Sequence, residues 1–157
     1  MRYPQLVILE LDGWLGRQLS ELASARRWLL RETRQFGAAK AMLSPLRPTV
    51  LVAQLDPQRE KTDGLQFLAD VHLTYPDVST LAVSDVKLND DQDRAAWTEL
   101  ALDLGARGVL FPPLTQPVLE EAIGQMMTAV LARTRPGWQP PPGKGDVIDL
   151  AEEGLAE

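Results

Sequence analysis

Five short apolar runs punctuate the chain: LVILEL (6–11), WLLRET (28–33), TVLVAQL (49–55), STLAVS (79–84) and GVLF (108–111). The third and fourth are apolar on successive residues and rich in Val, Leu and Thr, as strands buried on both faces of a parallel sheet are. The second is more polar and reads as an edge strand. Between the runs, apolar residues recur at helical spacing. Trp14, Leu15, Leu19, Leu22 and Ala23 form one stripe, and a second stretch runs from Phe36 to Leu46, closed by Pro48. Leu65, Phe67, Leu68, Val71 and His72 form a third, ended by Tyr75-Pro76. Ala95, Ala96, Leu100, Leu102 and Leu104 form a fourth, entered through Asn89-Asp90-Asp91 and terminated by Gly105. Val118, Leu119, Ala122, Ile123, Met126, Met127 and Val130 make the fifth. Strand and helix alternating in this way predict an α/β fold with right-handed crossovers and a parallel sheet covered on both faces.

For five strands the expected arrangement is flavodoxin-like, order 2-1-3-4-5, with the functional site beyond the carboxyl ends of the strands. At 157 residues the chain allows one such domain and a tail. The pattern assigns 1–133 to the domain. From 134 onward Pro and Gly dominate and then acids. Arg135 and Lys144 face Asp146, Asp149, Glu152, Glu153 and Glu157, a net of −3 out of −6 for the whole chain. Such a composition cannot bury enough surface to fold alone and predicts a linker with a disordered tail. In that tail Val147, Leu150, Ala151 and Leu155 share one face if the segment becomes helical, a form that docks in a partner's groove.

The remaining composition mostly excludes. There is no cysteine, which removes disulfides, zinc–thiolate sites and thiol catalysis and fits a reducing compartment. A single histidine, His72, leaves hydrolytic triads and transition-metal sites without parts, and its helical setting reads as a surface or half-buried position. The acidic balance argues against nucleic acid, and the N-terminal apolar run is too short for a signal peptide or membrane span. The expectation is a cytoplasmic protein. LDGWLG lacks the G-x-G-x-x-G spacing of a dinucleotide site. Asp90, Asp91 and Asp93 lack the glycine and distal glutamate of a calcium loop and read as a helix start. Trp14 and Trp97 fall within helical stretches and read as packing residues, not a flavin platform. Arg26, Arg27, Arg31 and Arg34 form a basic patch around the second run, a solvated face or a match for an acidic partner or the acidic tail.

Two stretches, DGLQFLADVHLTYPDVSTLAVSD (63–85) and DDQDRAAWTELALDLGARGVLFPPLTQPVLEEAI (90–123), resemble the receiver domain of two-component response regulators in element order and spacing. The resemblance extends from about Leu6 to Arg133. It implies phosphoryl transfer to an aspartate ending the third strand, Mg²⁺ held by two acids after the first strand, a hydroxyl after the fourth, and a lysine after the fifth. Carried onto this chain, the acid pair falls on Glu10-Leu11, so one acid is lost, with Asp12 next door. The acceptor is open. Eight residues back from Gly64 lies Asp56, whereas six forward from Pro48 lies Gln54, and the apolar register of Val50 to Ala53 favours Gln54. The hydroxyl is present as Ser84. The lysine falls on Pro112, followed by the family's proline at Pro113, often joined through a cis peptide. The aromatic switch position falls on Val109.

The resemblance therefore implies a degenerate receiver, or pseudo-receiver: no enzyme and no cofactor, acting on protein partners in a signalling pathway. Its contact face would be the fourth helix, fifth strand and fifth helix, with Trp97, Leu100, Val109, Val118 and Glu121, a face that also serves homodimers. One alternative is a phospho-accepting regulator using Asp56, with Glu10, Asp12 and Asp56 around Mg²⁺. Another is a flavodoxin-like domain that binds a flavin or other small ligand.

Overall fold

A computed structural model of the chain describes residues 3–55, 63–84 and 90–134. In chain order its elements are β1 (Gln5–Leu9), α1 (Trp14–Arg26), β2 (Leu29–Thr33), α2 (Phe36–Met42), β3 (Thr49–Gln54), α3 (Asp63–Thr74), β4 (Ser79–Val83), α4 (Asp91–Asp103), β5 (Gly108–Leu110) and α5 (Gln116–Thr134). The five strands form one parallel sheet in the order β2-β1-β3-β4-β5. That is the predicted order, with the polar run β2 at an edge.

Side chains on a strand alternate between faces, and the sheet divides its core accordingly. Leu6, Ile8, Val50, Val52, Leu81 and Val83 pack under α1 and α5, against Leu15, Leu19, Leu119, Ile123 and Met127. Val7, Leu9, Leu51, Ala53 and Ala82 pack on the other side, against Phe67, Leu68, Val71 and Trp97. β1, β3 and β4 are buried residue by residue, as continuous apolar runs require.

Several boundaries differ from the expectation, each for a local reason. The second helix stops at Met42 and not at Leu46, because Pro45 holds Ser44 out of helical geometry and Leu43 is already extended. α4 presents a different stripe from the one predicted: Trp97 and Ala101 face the sheet, while Leu100 and Leu102 stand 40% and 44% exposed. The bulky indole and the small alanine together fill the space between the helix and the sheet. Asp90 caps α4 as predicted, its carboxylate accepting from the Gln92 N–H at 2.8 Å. Gly105 ends it at φ 109°, and a Cβ there would lie 2.5 Å from the Cβ of exposed His72.

All five strands run the same way, so one end of the sheet gathers their N-termini and the other their C-termini. α5 returns to the N-terminal end, where the Arg133 guanidinium donates to the Asp77 carbonyl at 3.3 Å and to Ser79 Oγ at 2.9 Å. Partial burial, with Arg107 adding repulsion and Asp77 opposing it, makes that guanidinium somewhat easier to deprotonate than usual. α5 reaches Thr134, one residue beyond the expected domain end, and the tail after it lies outside the described residues. No helix among the described residues is long and apolar enough to cross a membrane.

Candidate functional site at the C-terminal strand ends

Glu10 follows β1 directly and is 3% exposed. Its backbone N–H continues the sheet to the Thr33 carbonyl at 3.0 Å. Its carboxylate turns toward the start of α1, where Oε1 accepts the Leu15 N–H at 2.9 Å and Oε2 the Gly16 N–H at 2.8 Å. The reason is local. The first N–H groups of a helix have no intrahelical acceptor, and the N-cap residue here is Gly13, at φ 82°, with no side chain to supply one. Glu10 does that work from the strand, and its negative charge suits the positive end of the helix. Glu32 on β2 presses against the same turn: a Cβ on Gly16 would meet its carboxylate at 2.2 Å.

Leu11 is 54% exposed, and its N–H donates to Gln54 Oε1 at 2.8 Å. Asp12 is exposed beyond it. Gln54 is the last residue of β3, one step beyond the Leu9–Ala53 pair and so alongside Glu10. It is 9% exposed, and its Nε2 is buried with no hydrogen-bond partner. Ser84, fully buried, extends β4 by donating its N–H to the Leu110 carbonyl at 2.9 Å. Pro112 is half-buried just past β5 and joined to Pro113 by a cis peptide. Glu10, Leu11, Gln54, Ser84 and Pro112 thus share one end of the sheet; Asp56 lies outside the described residues. Among the described residues, no three His, Cys, Asp or Glu side chains cluster closely enough to hold a metal ion.

No family model and no curated protein matches the sequence. The fold does match solved structures. A signal receiver domain of a LuxO repressor protein from Vibrio parahaemolyticus superposes with a TM-score of 0.65 at 11% identity, over 84% of this chain and 95% of that one. A CheY-like receiver domain from Methanospirillum hungatei gives 0.60 at 14%, over 84% and 99%. A pilus assembly-related protein from Burkholderia pseudomallei gives 0.55 at 18%, over 80% and 89%. The fold is that of a response-regulator receiver domain.

Within this receiver fold the sequence-predicted contact face is only partly a surface. Leu100 and Val118 are exposed, the latter at 44%, and Glu121 is exposed beside them on α5. Val109 is half-buried against the α3–α4 side of the core. Trp97 is not on that surface: it is 8% exposed and packs inward, its Nε1 without a partner, because α4 is rotated to set its indole on the sheet. Leu102, which the sequence reading assigned to the core stripe, is on the surface instead.

Two features of the site escaped the sequence. The role of Glu10 depends on a turn that brings a strand residue to amides five and six positions later, and the only signal was an uncapped helix start at Gly13. The Gln54–Leu11 bond joins residues 43 apart in sequence and had no local signal.

Proposed function

We propose that this chain is a degenerate receiver that works through protein–protein contact in signal transduction, without Mg²⁺-dependent aspartate phosphorylation. The observation that carries this reading is Gln54 at the end of β3, a neutral amide whose oxygen is spent on the Leu11 N–H. A receiver's chemistry needs an ionised acceptor there. Among the described residues the donor set does not fit Mg²⁺ either. Both Glu10 oxygens already accept backbone N–H groups, Leu11 offers no oxygen from its side chain, and Pro112 offers no charge to a phosphoryl group. The strand end has become a set of structural hydrogen bonds.

What remains for signalling is surface. Leu100, Leu102 and Val118 expose apolar area on α4 and α5, with Glu121 at the margin. Apolar anchors beside charged residues are what a protein partner or a second copy buries. Beryllofluoride with Mg²⁺, followed through the fluorescence of half-buried Trp14 at the start of α1, tests the reading. The expected result is no saturable change, in the wild type and in Asp56→Ala alike. A saturable change that disappears in Asp56→Ala would favour a phospho-accepting regulator built on Asp56.

A further inference from the structure

The N-terminal end of the sheet carries an apolar patch that the reading above does not use. Tyr3, Leu29 and Leu46 are 63%, 41% and 70% exposed. They gather around the start of β1. The Leu29 N–H donates to the Pro4 carbonyl at 2.8 Å, and Arg47, next to Leu46, donates through Nη1 to the Tyr3 carbonyl at 2.7 Å. The surroundings are basic. Arg26 and Arg27 end α1 at this edge, Arg26 lying 5.8 Å over the Trp28 ring, and Arg31 continues along β2, all three exposed; Arg34, also exposed, follows the far end of that strand. Acids are close as well: Glu120 and Glu121 of α5 share a groove with Arg26, and Glu32 lies on β2 itself with its carboxylate against Gly16, so Arg27 and Arg31 are the arginines best placed to take further carboxylates.

We propose that the acidic C-terminal segment, residues 146–157, folds back onto this corner of its own domain. The segment DVIDLAEEGLAE has five acids, no base, and the apolar residues Val147, Ile148, Leu150 and Leu155 among them. Its chemistry is the complement of the corner: apolar side chains for Tyr3, Leu29 and Leu46, carboxylates for the arginines. It also starts from the right end. α5 delivers the chain to the beginning of β4, anchored by Arg133 on Asp77 and Ser79. From β4 to β2 is three strand spacings, about 14 Å. Residues 135–145 span up to roughly 36 Å when extended, so the connection reaches with slack. A tethered segment needs only weak intrinsic affinity, because its effective concentration is on the order of millimolar. The docked tail covers the β2 edge, and a partner that competes for the arginines releases it. This inference holds whether or not the strand-end site accepts a phosphoryl group.

The absence of cysteine makes the test direct, since Ala156→Cys in the full chain carries a single nitroxide label. Amide resonances of Tyr3, Leu29, Leu30, Arg31 and Leu46 are expected to broaden far more than those of α3 and α4. The effect should fade at high salt, in Arg27→Glu/Arg31→Glu, and in Asp149→Asn/Glu152→Gln/Glu153→Gln, so that misfolding of either variant leaves the other to decide. Broadening spread evenly over the surface, or strongest on α4 and α5, overturns the proposal. So does broadening of unlabelled, isotope-enriched chains mixed with labelled ones, which would assign the contact to a second copy.

Discussion

Replacing Glu10 by Gln separates a helix anchor from a metal ligand. In the wild type the two carboxylate oxygens accept the Leu15 and Gly16 N–H groups. Glutamine offers one oxygen and an NH₂, so one backbone N–H keeps a neutral acceptor and the other faces a donor inside a site that is 3% exposed. Losing a hydrogen bond to a charged group costs about 1.5–3 kcal/mol. Removing the negative charge from the helix N-terminus adds about 0.3–2 kcal/mol. The sum is about 2–5 kcal/mol, a large part of the roughly 5–15 kcal/mol that holds a domain folded. In urea, with a slope of about 2 kcal/mol per molar, the midpoint should fall by roughly 1–2.5 M, equally with and without Mg²⁺. A metal ligand behaves in the opposite way: its neutralisation leaves the metal-free protein as stable or more so, and abolishes stabilisation by Mg²⁺. Finding that pattern in Glu10→Gln would refute the assignment.

Other substitutions probe the neighbouring features. Gly105→Ala should lower stability by about 1–3 kcal/mol, since alanine is strained at φ 109° and its Cβ meets His72; thermal unfolding should fall by about 2–4 °C per kcal/mol, and removing the imidazole in His72→Ala should recover only part, because the Cβ of residue 72 stays in place. Gln54→Met should stay within about 1 kcal/mol of the wild type in urea. It gives up the Leu11 hydrogen bond but also removes the buried, unpartnered Nε2, and these two changes are of similar size and opposite sign. Ile123→Ala on α5, fully buried against the sheet, should cost about 2–5 kcal/mol by denaturant unfolding, whereas Val118→Ala on the exposed face should change stability by less than about 0.5 kcal/mol.

How far the sequence could be read followed from how local each signal was. β3 and β4 were plain in TVLVAQ and STLAV, because a strand buried on both faces has no freedom to be polar. The edge position of β2 was plain for the converse reason, its residues Arg31 and Glu32 being compatible only with a solvent-facing strand. The end of β3 was not, since counting from Pro48 and from Gly64 gave different residues, and only pairing with β1 and β4 places Gln54 as the last residue of the strand. α4 misled because Leu100 and Leu102 are the large aliphatic residues of the helix and read as its core contacts. The buried side is chosen by fit to the sheet, and Trp97 with Ala101 fits where Leu100 and Leu102 do not. Glu10 was legible as an acid at the right position, but the backbone amides that claim its oxygens come from a turn whose geometry the sequence does not encode in any short pattern.

Whether the strand-end site can still take a phosphoryl group is decided most directly by intact mass. The full chain is incubated with a small-molecule phosphoryl donor and Mg²⁺, beside Asp56→Ala and a working receiver as positive control. A strand end closed by Gln54, Glu10 and Pro112 predicts no added phosphoryl group on either form of this chain while the control is modified. A mass increase of one phosphoryl group on the wild type, absent from Asp56→Ala, would contradict it.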